Sequence, residues 1–143
     1  MSRGLICLSR QFNQNFMPTN EKKERDRKFG QFAEQKAAEY YLKNDYAILE
    51  RNWRLSKIEI DLIVQRNNTI VFVEVKARSG DDESPVSAVT TDKMKRMIRA
   101  SDVYIRSQKG DYDYRFDIVG LTGDFNNYEM EVYEDAFVTS DVM

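Results

Sequence analysis

Histidine is absent from all 143 residues, and cysteine occurs once, as Cys7. The first absence removes imidazole acid–base chemistry and the usual zinc ligand sets. Any bound metal must then be a hard cation held by oxygen, so Mg2+ or Mn2+ is expected rather than zinc. The second absence rules out an internal disulfide, which fits a reducing compartment. No apolar run approaches the roughly 20 residues that a membrane-spanning helix needs. The stretch Gly4-Leu5-Ile6-Cys7-Leu8 is shorter than the about 7–15 apolar residues of a signal-peptide core, and no small-residue cleavage site follows it. A cytoplasmic location without a membrane partner is the expectation.

A surplus of positive charge is missing too. Lysine and arginine total 22 against 24 acidic residues, a net charge of −2, which argues against coating nucleic acid through charge alone. A local carboxylate cluster lowers the net charge without preventing basic residues from gathering elsewhere. Two basic clusters exist, Lys22, Lys23, Arg25, Arg27 and Lys28 near the start, and Lys93, Lys95, Arg96 and Arg99 further on. Each reads equally as a phosphate-facing patch or as a solvated helix face mixed with acids. With 41% hydrophobic and 32% charged residues, the chain suits one soluble domain with a real core.

Residues 1–20 lack periodicity and read as a flexible leader, followed by one domain over 21–143. From about Glu24 to Asn44, Phe29, Phe32, Ala33, Ala37, Tyr40 and Tyr41 recur at steps of three and four, the signature of an amphipathic helix. Gly30 weakens that helix slightly. Three strand-like segments follow. Tyr46–Arg54 is rich in β-formers, and Ile58–Gln65 places Ile58, Ile60, Leu62 and Val64 on one face. Thr69–Arg78 sets Val71, Val73 and Val75 against Phe72, Glu74, Lys76 and Arg78. Residues 80–89 read as a polar loop. Thr90 or Thr91 then caps a second helix whose stripe is Met94, Met97, Ile98, Ser101 and Ile105, running to about Gln108. Strand-like Tyr114–Leu121 and Tyr128–Tyr133 flank a Gly-Asp-Phe-Asn-Asn turn. The order α-β-β-β-α-β-β predicts an α/β domain, a mixed sheet with helices against it. Trp53, Tyr104 and Phe116 are expected in its core rather than as base-stacking platforms.

Asn67-Asn68 suits a two-residue hairpin turn. In that register Asp61 lies opposite Glu74, and Glu59 opposite Lys76. Opposed carboxylates repel, so a fold selected for stability alone would not place them in a central strand pair. A divalent cation between them converts repulsion into coordination. Lys76, two residues beyond Glu74, shares its face. Two carboxylates and the Val75 carbonyl would hold Mg2+ or Mn2+ for phosphodiester hydrolysis. Lys76 would orient water, deprotonate it as the free amine, or stabilise charge on the phosphate as the ammonium. The plainer alternative is a solvated strand face on which Lys76 pairs with Glu59.

Several segments resemble a known family. These are Gly30-Gln31-Phe32-Ala33-Glu34, Ala37-Ala38-Glu39-Tyr40-Tyr41-Leu42, Ile48-Leu49-Glu50-Arg51-Asn52-Trp53-Arg54 and Glu59-Ile60-Asp61-Leu62-Ile63. Val71-Phe72-Val73-Glu74-Val75-Lys76-Ala77-Arg78, Ala88-Val89 with Lys93, and Arg115-Phe116-Asp117 complete the set. In this order they resemble the YraN-like family of small bacterial proteins, relatives of the restriction-endonuclease-like (PD-(D/E)xK) nucleases. The resemblance implies that fold, with Asp61, Glu74 and Lys76 as motif residues and Glu34 completing the metal site. The family's usual Gly-Glu pair is Ala33-Glu34 here, which keeps the carboxylate. It also implies a magnesium-dependent endonuclease acting on DNA, with Arg78, Lys93 and Arg96 on the nucleic acid and a homodimer if junctions are resolved. A nucleic-acid-binding module without turnover is the alternative, and a scaffold or dimerising protein whose acidic cluster serves another role is a third reading.

Met17, just before the first helical pattern, is expected to be the natural start, with residues 1–16 an over-extended reading of the gene. Mass spectrometry of the native N-terminus checks this, and a peptide containing Leu8 would reject it.

Overall fold

A computed structural model describes residues 19–79 and 87–139, and its elements follow the expected order. Helix α1 spans Thr19–Lys43. Strands β1, β2 and β3 span Ala47–Leu55, Ile58–Arg66 and Thr69–Arg78. Helix α2 spans Thr91–Ser107, and β4 and β5 span Asp113–Gly123 and Tyr128–Phe137. The strands form one five-stranded sheet ordered β1-β2-β3-β4-β5. All neighbours are antiparallel except β3 and β4, which run parallel because α2 carries the chain back between them. The domain is α/β with a mixed sheet flanked by helices.

Helix α1 starts earlier than its apolar stripe suggests, so Thr19 and Asn20 belong to it rather than to a leader. Its first turns are held by charge. Lys22 pairs with Asp26, and Arg27 and Lys28 with Glu24, at helical spacings of three and four. Such pairs extend a helix without any hydrophobic signal. The leader over 1–18, with Met17, and residues 80–86 of the expected loop lie outside the described residues.

Strand alternation divides the core between the two helices. Ile63, Ile70, Phe72, Phe116 and Ile118 pack with Met97, Ile98, Ala100 and Tyr104 of α2. Leu62, Val64, Val71, Val73 and Val119 pack with Ala37, Ala38 and Tyr41 of α1. Both faces of β3 and β4 are therefore covered, which is why these strands read as nearly continuous apolar runs. Trp53, Tyr104 and Phe116 sit in or against the core as expected, Trp53 meeting Tyr104 edge-to-face at 5.1 Å. Thr90 caps α2, its Oγ1 accepting from the Lys93 N–H at 3.1 Å.

One carboxylate is buried completely. Asp117 of β4 is 0% exposed and accepts from Tyr41 Oη at 2.6 Å, Arg115 Nε at 2.9 Å and the Asp135 N–H at 3.0 Å. The last contact spans an irregularity in the β4–β5 register, where Asp135 takes a φ of 52°. Burial, then the Asp117 charge, push the Tyr41 hydroxyl far above its ordinary pKa, so it remains a donor. Every polar group here has a partner, and a structural role accounts for it.

Two glycines give opposite expectations. Gly123 has a φ of 128°, and a Cβ there would lie 2.2 Å from the Asn127 carbonyl oxygen. Gly123→Ala should cost about 2 kcal/mol or more. Gly30 lies inside α1 with nothing within 4 Å of an added Cβ. Gly30→Ala should stabilise by about 0.5–1 kcal/mol. Urea denaturation of the two variants checks both signs.

Candidate metal centre

The sheet is interrupted along one line that crosses β1, β2 and β3. The β2–β3 ladder keeps the register expected from the Asn67-Asn68 turn, Arg66 facing Thr69 and Leu62 facing Val73. It stops one pair short of Asp61 and Glu74. Beyond that point Asp61 Oδ2 accepts the Val75 N–H at 2.7 Å, a side chain taking the place of a ladder carbonyl. In β1, Asn52 occupies the gap between the pairs Arg51–Leu62 and Trp53–Ile60, with a left-handed φ of 49°.

These irregularities overturn one expectation about β2. Ile58, Ile60, Leu62 and Val64 do not share a face. Ile58 and Ile60 pack on the α2 side, whereas Leu62 and Val64 pack on the α1 side. The strand changes face at Asp61, which regular alternation cannot do. Asp61 consequently lines a small cavity of about 70 Å³ with Glu34, Gln31 and Gln35 of α1 and Arg51 and Asn52 of β1.

Glu74 is 3% exposed and faces the basic side chains. Its Oε2 lies 3.3 Å from Lys76 Nζ. Its Oε1 lies 3.5 Å from Lys93 Nζ, near enough for charge attraction but without a hydrogen bond; that buried oxygen has no hydrogen-bond partner. Lys93 Nζ is also 3.2 Å from the Glu59 carbonyl, to which it donates. Glu59 pairs instead with Arg54 at 3.3 Å, so the expected opposition of Glu59 and Lys76 does not form.

Three carboxylates act on one another. Burial first, then the charge of Glu74, push the Asp61 carboxyl up to about 8; Glu34 adds to the rise, and the Val75 N–H opposes it. Burial also raises Glu34, the Asn52 amide opposes the rise, and the charges of Glu59 and Glu74 add to it. Among the described residues, no three acidic side chains converge closely enough to chelate a cation as they stand. Their mutual repulsion and the orphaned Glu74 oxygen nonetheless leave the centre short of positive charge. All the donors are oxygens, the set that suits a hard divalent ion.

The structure thus brings together Glu34, Asp61, Glu74 and Lys76 of the predicted site, with Val75 contributing its N–H to Asp61. It draws Lys93 inward, whereas the sequence reading placed it on nucleic acid. Arg78 is half-buried, with NH1 3.5 Å from the Ala77 carbonyl, and Arg96 stands exposed on α2. Much of the basic cluster near the start is the solvated alternative, since Lys22, Arg27 and Lys28 are paired within α1. Asn52 was not singled out, although an asparagine between β-formers is a signal for positive φ.

A family model described as uncharacterised protein family UPF0102 matches residues 33–121. The chain belongs to this family. A UPF0102 protein of Flavobacterium psychrophilum is 39% identical over 109 residues, covering 76% of this chain and 92% of the relative. One from Bacteroides fragilis is 38% identical over 109 residues, covering 76% and 90%. Another from Chlorobium chlorochromatii is 39% identical over 115 residues, covering 76% and 89%. The YraN-like resemblance read from the sequence is thereby borne out. The UPF0102 match begins at Ala33 and ends at Leu121, so it contains every acidic residue of the centre.

The raised Asp61 pKa has a consequence for stability. In metal-free protein the folded state keeps a proton on Asp61 that the unfolded chain releases above about pH 4. The contribution of this group to stability therefore declines as pH rises from about 4 to about 8, then levels off. Asp61→Asn retains an oxygen for the Val75 N–H and should remove this decline, making the variant the more stable protein in alkaline chelator. Urea melts at about pH 6 and about pH 9 test it. Identical pH slopes for the two proteins would reject the assignment.

Proposed function

We propose that this UPF0102 protein is a divalent-metal-dependent nuclease that hydrolyses DNA phosphodiester bonds. The observation that carries the reading is the buried Glu74 carboxylate, one oxygen without a hydrogen-bond partner and the other beside Lys76. Asp61, Glu74, Glu34 and the Val75 carbonyl would hold Mg2+ or Mn2+. When bound, such an ion supplies Lewis acidity, polarising a phosphate oxygen and making water more acidic.

The chain's own residues supply the remaining parts. The Val75 N–H fixes one Asp61 oxygen and so the direction of the other. Glu74 tethers the Lys76 ammonium at the edge of the acidic centre. From there Lys76 can orient the attacking water, take its proton once deprotonated, or donate to a phosphate oxygen as negative charge develops. Water oxygen bonds to phosphorus, one P–O ester bond breaks, and the leaving oxygen takes up a proton. Arg78 and the exposed Arg96 are the candidates for phosphate contacts that position the strand. The motif's likeness to junction-resolving and restriction enzymes makes branched DNA in repair, recombination or uptake the first substrate to try. Two symmetric cuts would require a homodimer.

A second reading has its own observation. Lys76 and Lys93 already flank Glu74, so internal cations partly satisfy it without metal. That arrangement suits a nucleic-acid-binding protein of nuclease fold and no turnover.

Incubation with linear, single-stranded and four-way-junction DNA, in Mg2+, Mn2+ or chelator, separates the two. Cleavage should require metal and fall about 10²–10⁴-fold in Lys76→Ala. It should fall to background in Asp61→Ala. Equal cleavage by wild type and both variants would defeat the site, while metal-independent DNA binding without cleavage would favour the second reading.

A further inference from the structure

Asn52 lies in a strand yet has a left-handed backbone, φ 49°, a conformation that costs a non-glycine residue free energy unless something holds it. Its location explains what is gained. Arg51 and Asn52 are consecutive, and in a regular strand they would point to opposite faces. Both instead reach α1: Arg51 NH1 donates to Gln35 Oε1 at 2.9 Å, and Asn52 Nδ2 donates to Glu34 Oε1 at 3.2 Å. Trp53 then resumes on the α2 side of the sheet. The left-handed residue is what lets two neighbouring side chains face one helix. Opposite it in β2 is Asp61, where that strand also changes face. Asn52 and Asp61 line the same cavity with Glu34.

We propose that Asn52 is a positioning residue of the acidic centre, holding Glu34 toward Asp61 so that both can share a divalent ion. The inference rests on the metal-centre reading above and adds a residue to it. An amide suits the task. It donates to a carboxylate without neutralising it, whereas a lysine would compete with the metal and an aspartate would add repulsion. A neutral donor also keeps Glu34 ordered before any cation arrives, and partners that orient ligands in this way commonly govern metal affinity. Asparagine further combines that donor with tolerance of positive φ.

Asn52→Gly separates this role from a structural one. Glycine adopts the same backbone without strain, so the melting temperature should be unchanged or higher. Glu34 loses its donor, so Mn2+ affinity, measured by calorimetric titration of the full chain, should weaken about tenfold or more. Glu34→Ala should weaken Mn2+ at least as much, and adding Asn52→Gly to it should cost nothing further. Unchanged affinity in Asn52→Gly overturns the inference, as does a loss exceeding that of Glu34→Ala, a further loss in the double variant, or a lowered melting temperature. If wild type binds Mn2+, Asp61→Ala abolishes it and Asn52→Gly leaves it intact, only the Asn52 inference fails. If wild type binds no Mn2+, the metal-centre reading fails with it.

Discussion

The hydrogen bond from the Val75 N–H to Asp61 Oδ2, 2.7 Å long, is the contact on which the centre depends. Where the β2–β3 ladder ends, the Val75 donor loses its backbone acceptor, and a buried N–H without a partner is expensive. Asp61 supplies the acceptor with its side chain, which lets the strands separate without orphaning the amide. The same bond fixes an acidic side chain between two covered faces of a sheet, a place where burial makes the charged form costly. One contact thus accommodates both the gap in the sheet and the acid within it.

Charge balance around the gap is incomplete by construction. Glu34 comes from α1, Asp61 from β2 and Glu74 from β3, while Lys76 and Lys93 approach only Glu74. Burial first, and then the neighbouring carboxylates, raise the pKa of Asp61 and of Glu34, with the Lys93 charge opposing the rise at Asp61. Under the proposed function, a small, hard, doubly charged ion is what would offset this repulsion.

Much of this was legible in the sequence because it depends on periodicity. The order of elements, the β2–β3 register and the grouping of Asp61, Glu74 and Lys76 follow from alternation and one Asn-Asn turn. The start of α1 was missed because ion pairs rather than apolar spacing hold Thr19 to Lys28. The face of Ile60 was missed because alternation assumes an uninterrupted strand, and β2 changes face at Asp61. Lys93 was assigned to a surface because nothing in its neighbours tells which way a helical lysine turns. That depends on Glu59 and Glu74, 34 and 19 residues away in sequence but on neighbouring strands of the sheet. Asn52 was missed for the related reason that its value lies in a backbone angle. Family membership assigns no residue a role, so the proposed activity rests on the site chemistry.

The buried Asp117 network bears on how the chain becomes a folded object. Tyr41 near the end of the first helix, Arg115 in β4 and the Asp135 N–H in β5 all converge on this one carboxylate. Phe137 covers the opposite side of β4, its ring 4.7 Å from that of Phe116. Withdrawing the first helix or the last strand removes one of the partners of this carboxylate and leaves Arg115 and the remaining one to hold it. One aspartate thus joins the two ends of the described chain, so that loosening either α1 or β5 weakens the setting of the other.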